Sequence, residues 1–148
     1  MVKEFINLWE KNKNKLEDYF RNTEQREYDG YKLIVKKIIE LVINDEDEFE
    51  TYDIERMTVI DDGSYQGTQI FIIPRKTYQP DADDYIFTHN YYGSCSGCDT
   101  LQAIHWYRTD AKPNEEQIKD YMTLALHLVQ ELRYLMPRDD KEWKKNSC

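Results

Sequence analysis

The N-terminal third of the chain alternates apolar and charged positions with the period of an amphipathic helix. A first run predicts a helix over about residues 2 to 21, and the apolar residues between Leu33 and Val42 predict a second helix. The second helix should end at the acidic segment 44–50. The apolar positions of the first run are Phe5, Leu8, Trp9, Leu16, Tyr19 and Phe20.

The period of the pattern then changes from that of a helix to that of a strand. In residues 52–60, two sets of side chains alternate along the chain: Tyr52, Ile54, Arg56, Thr58 and Ile60 with Asp53, Glu55, Met57 and Val59. The turn sequence Asp61-Asp62-Gly63-Ser64 follows, and residues 68–73 are rich in β-branched and apolar residues up to Pro74. This order predicts two strands joined by a glycine-containing turn. Residues 85–92 predict a third strand, with Tyr85, Phe87, His89 and Tyr91 on one face.

The C-terminal part returns to helical spacing. Asp99 and Gln102 resemble a capping box before a short helix, and Pro113-Asn114 predicts the start of a long helix to about Met136. Its centre, MTLALHLV, is apolar on nearly all sides, so we expect this helix to be buried between two layers. The order of elements predicts one α+β domain over residues 1–148, with a small antiparallel β-meander packed by N-terminal and C-terminal helices.

Charge and hydropathy narrow the classes of function. Twenty basic and twenty-nine acidic residues give a formal net charge of −9. This argues against direct nucleic-acid binding, which draws its affinity from basic side chains, and favours a basic protein surface as partner. The sequence has no apolar run of roughly 18 residues, so no membrane partner is expected. The N-terminus lacks the pattern of a secretory signal, which predicts a cytoplasmic location in a host cell.

The segment YYGSCSGCD carries the clearest candidate chemistry. Cys95 and Cys98 have the C-x-x-C spacing that lets two thiolates bind one ion, and Gly93 and Gly97 permit a tight knuckle. A redox pair or a simple turn are the alternatives, although a thioredoxin-like motif would stand earlier in a βαβ unit. Because thiolate and imidazole ligands suit zinc, we predict a structural zinc site. Its predicted ligands are Cys95, Cys98, His127 and His89, with Asp99 or His105 in reserve.

Catalytic motifs are missing from the sequence, whereas acidic clusters are prominent. We find no H-E-x-x-H, no G-x-x-x-x-G-K and no G-x-S-x-G, so the sequence predicts a protein that is not an enzyme. The acidic clusters, which include Asp61 and Asp62, are predicted to contact a basic partner; the alternative is that they are solvated loops. The predicted partner-binding residues are Asp45, Glu46, Asp47, Glu48, Glu50, Asp81, Asp83 and Asp84.

The core GSCSGCDTLQ (93–102), with YMTLALHLVQ (121–130), resembles segments of small phage and prophage proteins of Gram-positive bacteria. The resemblance covers the C-terminal half of the chain. In size, acidity and predicted metal content the chain is also similar to a zinc-containing type II anti-CRISPR protein, an inhibitor of Cas9. This similarity implies a phage inhibitor that binds Cas9 with its guide RNA and obstructs the DNA channel. A phage housekeeping protein or a metal-dependent hydrolase is the alternative.

Overall fold

A computed structural model describes residues 1–25, 30–47, 50–94, 99–105 and 112–136, without the side chain of His105. The α+β class is confirmed, with helices at both ends of the chain and a four-stranded antiparallel sheet in the order β1-β2-β3-β4. The helices are α1 (Lys3–Asn22), α2 (Gly30–Ile38, continued by the π-helical turn Ile39–Ile43), α3 (Thr100–His105) and α4 (Glu115–Gln130). The strands are β1 (Thr58–Asp61), β2 (Gly67–Pro74), β3 (Tyr85–Tyr92) and β4 (Arg133–Tyr134).

The sheet has two different faces because side chains alternate along each strand. Phe71 pairs with Thr88 and Ile73 with Ile86, and all four side chains are buried on the face that we call the inner face. The hydroxyl of Thr88 donates a 2.8 Å hydrogen bond to the carbonyl oxygen of Leu128 in α4. The inner face therefore packs against the helices.

One hydrophobic core fills the space between the helices and the inner face. Leu16 and Phe20 of α1 are fully buried, and the ring of Phe20 stacks on that of Tyr121 in α4 with centroids 4.9 Å apart. Val35 of α2 and Ile39 of the π-helical turn are also fully buried. Helical spacing thus predicts the core-facing side of α1 and α2 correctly, because helices with one apolar side bury that side.

Three predicted features of the chain differ in the structure. The first strand begins at Thr58 and not at Tyr52, since the carboxylate of Asp53 accepts a hydrogen bond from the Glu55 amide and starts a 3-10 turn. The long helix ends at Gln130, and the chain then forms β4 instead of continuing towards Met136. The centre of α4 is not buried on all sides, because Thr123 and His127 are exposed. Among the described residues, none of the helices combines the length and apolarity needed to cross a bilayer.

Candidate binding surfaces

A buried cluster around Asp99 holds the two ends of the cysteine loop. The Asp99 carboxylate accepts hydrogen bonds from the Tyr31 hydroxyl (2.5 Å), the Gly93 amide (3.3 Å) and the Gln102 amide (3.0 Å). The Leu101 amide donates to the Tyr31 oxygen, and the Gln102 side chain donates to the Gly93 carbonyl oxygen. We call these contacts the Asp99 clasp.

The Asp99 clasp joins α2, the end of β3 and the start of α3. Burial, with the hydrogen bond to Asp99, raises the pKa of the Tyr31 hydroxyl well above its ordinary value. Three donors already engage the Asp99 carboxylate, so its role here is to cap α3 and close the loop. The predicted ligands Cys95 and Cys98 lie outside the described residues. The predicted knuckle therefore stays a prediction.

The two histidines of the predicted metal site lie on different sides of the sheet. Thr88 points towards α4, so His89, the next residue of β3, projects from the opposite face, where it is exposed. His127 is exposed on α4, on the helical side. In the part of the chain that the structure describes, no group of three or more His, Cys, Asp or Glu side chains could hold a metal ion. Zinc is still a prediction from the cysteine spacing.

Asp45 lies in the interior and not on a binding surface. Its side chain is 3% exposed, and it accepts hydrogen bonds from the Asn12 side chain (2.7 Å) and the Asp47 amide (2.8 Å). Lys11 adds an ion pair at 3.0 Å. These contacts, led by the bond from Asn12, hold the pKa of the Asp45 carboxyl well below its usual range. Through these contacts, Asp45 links the end of the π-helical turn to Lys11 and Asn12 of α1.

In the first acidic cluster, residues 45–50, two other acids form ion pairs within the chain. Asp47, which is exposed, pairs with Lys11 at 2.7 Å. Glu50 pairs with Arg75, a mostly buried residue whose guanidinium also lies 5.6 Å from the centroid of the Tyr52 ring. A partner would therefore compete with Lys11 or Arg75 for these carboxylates, which reduces what either acid can contribute to binding.

The acidic cluster of Asp81, Asp83 and Asp84 is partly structural. Asp81 and Asp84 form a capping box around the 3-10 turn before β3, in which the Asp81 amide donates to the Asp84 carboxylate at 2.8 Å. Asp83, in the same turn, is exposed. Glu46 of the first cluster is exposed as well, and Glu48 lies outside the described residues. Of the described acids predicted to bind a partner, Glu46 and Asp83 are thus the exposed ones that take no part in these ion pairs or in the capping box.

The opposite face of the sheet, which we call the outer face, is apolar and partly open to solvent. Ile60 is 48% exposed, Tyr91 54% and Leu135 42%. Ile70 pairs with Ile60 and His89, and Ile72 pairs with Thr58 and Phe87, so each cross-strand row combines apolar with polar side chains. By strand alternation the outer face consists of Thr58, Ile60, Thr68, Ile70, Ile72, Pro74, Tyr85, Phe87, His89, Tyr91 and Arg133, extended by Leu135 after β4.

The outer face carries no carboxylate among its described residues, although the chain has twenty-nine acidic residues. Its one fixed charge, Arg133, donates hydrogen bonds to the carbonyl oxygens of Gln130 and Leu132. Among the apolar members of this face, Pro74 is buried and the others are half-buried or exposed. Within β2, residues 70–73 (IFII) are apolar at successive positions, which is typical of a strand covered on both faces.

A groove of about 640 Å³ runs between the C-terminal half of β3 and helices α3 and α4, and we call it the α4 groove. Leu124 and Ile104 supply its apolar surface, and Asp120 and His127 are among its polar residues. Asn90, Tyr91, Thr100, Ala103 and Thr123 complete its lining.

Comparisons with models of protein families, with curated proteins and with solved structures gave no match.

Proposed function

We propose that this chain is a non-catalytic protein that works by binding another protein through the outer face of its sheet. The observation that carries the proposal is an apolar face without carboxylates among its described residues, on a chain of net charge −9. Large exposed apolar patches on folded domains mark interaction sites, and interface centres are depleted of charged residues and enriched in aromatic ones. Phe87 and Tyr91 supply such aromatic contacts at the centre and one end of the face.

The ends of the outer face define the chemistry of the partner. Asp62 is exposed in the turn that joins β1 to β2, and Asp83 is exposed in the turn that precedes β3. These turns stand at opposite ends of β3, which has eight residues and so is roughly 27 Å long. A matching partner has an apolar patch bordered by basic side chains, because opposite charges at an interface rim direct association.

The narrower form of the proposal is an inhibitor of a host nucleic-acid enzyme, with Cas9 bound to guide RNA as the specific candidate. It rests on the resemblance to phage proteins and on the basic rim just inferred, since nucleic-acid channels are lined with Lys and Arg. In this form the chain would cover a basic channel while the outer face supplies the apolar contact. A zinc ion on Cys95 and Cys98 would hold the fold and would take no part in chemistry.

A photo-crosslinking experiment tests the outer face. We would replace Tyr91 with benzoylphenylalanine in one variant and Tyr78, which is 93% exposed outside this face, in a control variant. In cells that produce the protein, we expect a discrete crosslinked partner from position 91 and none from position 78. Adding Ile60→Asp should remove the crosslink and weaken binding of the purified partner at least tenfold, about 1.4 kcal/mol. Equal crosslinking from both positions would contradict the proposal.

Two further measurements test the narrower claims. Purified Cas9 with guide RNA should bind the wild-type chain and lose this binding with Ile60→Asp; failure of the wild type to bind would remove Cas9 and leave the outer-face proposal standing. Protein purified without chelator should contain one equivalent of zinc, and Cys95→Ser with Cys98→Ser should release it and lower the melting temperature. Protein without stoichiometric zinc would refute the metal site.

A further inference from the structure

The edge of β3 is only partly covered by β4. The two strands pair at Ile86 and Phe87, and the Leu135 amide then donates to the Tyr85 carbonyl oxygen at 2.9 Å. Backbone groups of successive strand residues point alternately to the two neighbours. The contact at Tyr85 therefore shows that the N–H and C=O groups of the odd-numbered residues of β3 point to the β4 side.

A second contact supports this assignment from the other side of the strand. The Arg75 amide donates to the Asp84 carbonyl oxygen at 2.8 Å, so the even-numbered residues point towards β2. Beyond Phe87, the backbone groups of His89 and Tyr91 face away from β2, and none of the described strands pairs with them on that side. The Asn90 side chain donates to the Tyr91 carbonyl oxygen at 3.0 Å, which uses one of that oxygen's two acceptor positions.

The α4 groove lies along this unpaired edge. Asn90 and Tyr91 form its β3 side, and Thr123, Leu124 and His127 line it from α4. An added strand needs a lateral spacing of about 4.8 Å from β3 and partners for its own side chains. On one side the groove offers backbone groups of β3 that pair with none of the described strands. On the other side it offers apolar and polar side chains. Strand-addition sites use this combination.

We propose that the β3 edge at His89 and Tyr91 is a strand-addition site for an extended segment of a partner protein that carries a lysine or arginine. The backbone of that segment pairs with the edge, and its basic side chain meets Asp120, an exposed carboxylate on the groove wall. This site is separate from the outer face, although the two meet where the side chains of His89 and Tyr91 project onto that face. The proposal does not depend on what the outer face binds.

The test begins with a phage-displayed library of random eight-residue peptides selected against the full chain. We expect the enriched peptides to contain Lys or Arg among alternating apolar residues. In amide hydrogen exchange, the His89 and Tyr91 amides should exchange fast in the free protein, whereas those of Thr88 and Asn90, which pair with β2, should be protected. The synthetic form of the enriched peptide should protect His89 and Tyr91 specifically. Two versions methylated at alternate amide nitrogens should differ, because only one blocks the pairing.

Three variants distinguish binding at this edge from binding elsewhere on the protein. Tyr91→Pro should weaken peptide binding at least tenfold and keep the fold, because an edge proline removes only an N–H that points into the groove. Asp120→Asn should weaken binding of the basic peptide, with a smaller effect on a version in which the basic residue is replaced by Gln. Ile60→Asp, on the outer face, should leave peptide binding unchanged.

Several results would overturn the strand-addition site. These are the absence of enriched peptides, unchanged affinity with Tyr91→Pro, or peptide protection confined to amides away from β3. Protection of His89 and Tyr91 that rises with protein concentration in the absence of peptide would assign the edge to a second copy of the chain instead. If the wild-type chain binds no such peptide but the outer-face crosslink still forms, this site is rejected and the proposed function is unaffected.

Discussion

At the scale of single residues, the ionisation of Asp45 makes the stability of the fold depend on pH. Its pKa is lowered by the hydrogen bonds from Asn12 and the Asp47 amide and by Lys11, so the carboxylate stabilises the folded state fully above its ordinary pKa of 3.8. This contribution is lost as the pH falls through 3.8 towards the lower pKa of the folded state. We therefore expect Asp45→Asn to lower the melting temperature clearly at pH 7, with a gap that narrows below pH 4.

The matched control for Asp45 is Asp83→Asn, because Asp83 is an exposed acid in a turn. Melting curves between pH 7 and pH 3 should superimpose for this control and the wild type. A gap between Asp45→Asn and the wild type that stays constant over the whole pH range would show that the asparagine acts through packing and not through lost ionisation.

Residue types predict partners poorly when the partner comes from another element. The sequence places Asp45 in an acidic cluster at the surface, yet Asn12, 33 positions earlier, donates to it in the interior. His127 shows the opposite case: the apolar residues around it predict burial, but it stands on the exposed side of α4. Side-chain spacing gives the direction of a residue on its own helix, and tertiary packing decides whether that direction is covered.

At the scale of elements, the start of α4 depends on a reciprocal cap. The Gln117 amide donates to the Asn114 side chain at 2.8 Å, and the Asn114 amide donates to the Gln117 side chain at 2.9 Å. Gln117 also donates to the carbonyl oxygen of Ile104 in α3. Asn114→Ala should cost roughly 0.5–2 kcal/mol of unfolding free energy. Gln117→Ala should cost more, because it also leaves the buried Ile104 carbonyl oxygen unpaired.

Urea unfolding of the two variants checks this order, with Lys119→Ala as the control on an exposed position of the same helix. The control should stay within about 0.5 kcal/mol of the wild type. If Asn114→Ala proved more costly than Gln117→Ala, the link between α3 and α4 would contribute little, and the cap alone would hold the start of α4.

Elements with strong local signals were predictable, and elements that depend on distant pairing were not. Residues 85–92 form a strand as predicted, since aromatic and β-branched residues alternate there between turn sequences. Arg133 and Tyr134 give no such signal, and they form β4 because Phe87 and Ile86 offer a strand edge. The 3-10 turn at Ile54–Arg56 likewise interrupts an alternating pattern because of one Asp53 side chain.

At the scale of the whole molecule, the described elements form two layers and leave the outer face of the sheet partly exposed. Helices α1, α2 and α4 contribute to the core on the inner face, while Ile70, Ile72 and Phe87 of the outer face stand outside that core. The sequence predicts the apolar character of β2 on both sides, but it does not say whether helix, partner or solvent covers the second side. Whether the outer face is a binding site depends on what covers it, and this depends on how the elements are arranged in three dimensions.

The net charge of −9 predicts how the whole molecule responds to salt and pH. Repulsion among excess carboxylates destabilises the compact state, and it weakens as the pH falls from 8 towards the isoelectric point near 4.8. In low salt, the melting temperature should therefore rise between pH 8 and about pH 5. It should fall below pH 4, because the Asp45 carboxyl then binds a proton in the unfolded chain more readily than in the folded one. Sodium chloride at about 0.5 M shortens the screening length to a few ångströms. It should raise the melting temperature at pH 8 and have little effect near pH 5; an equal effect at both pH values would point to general salting-out instead of relief of charge repulsion.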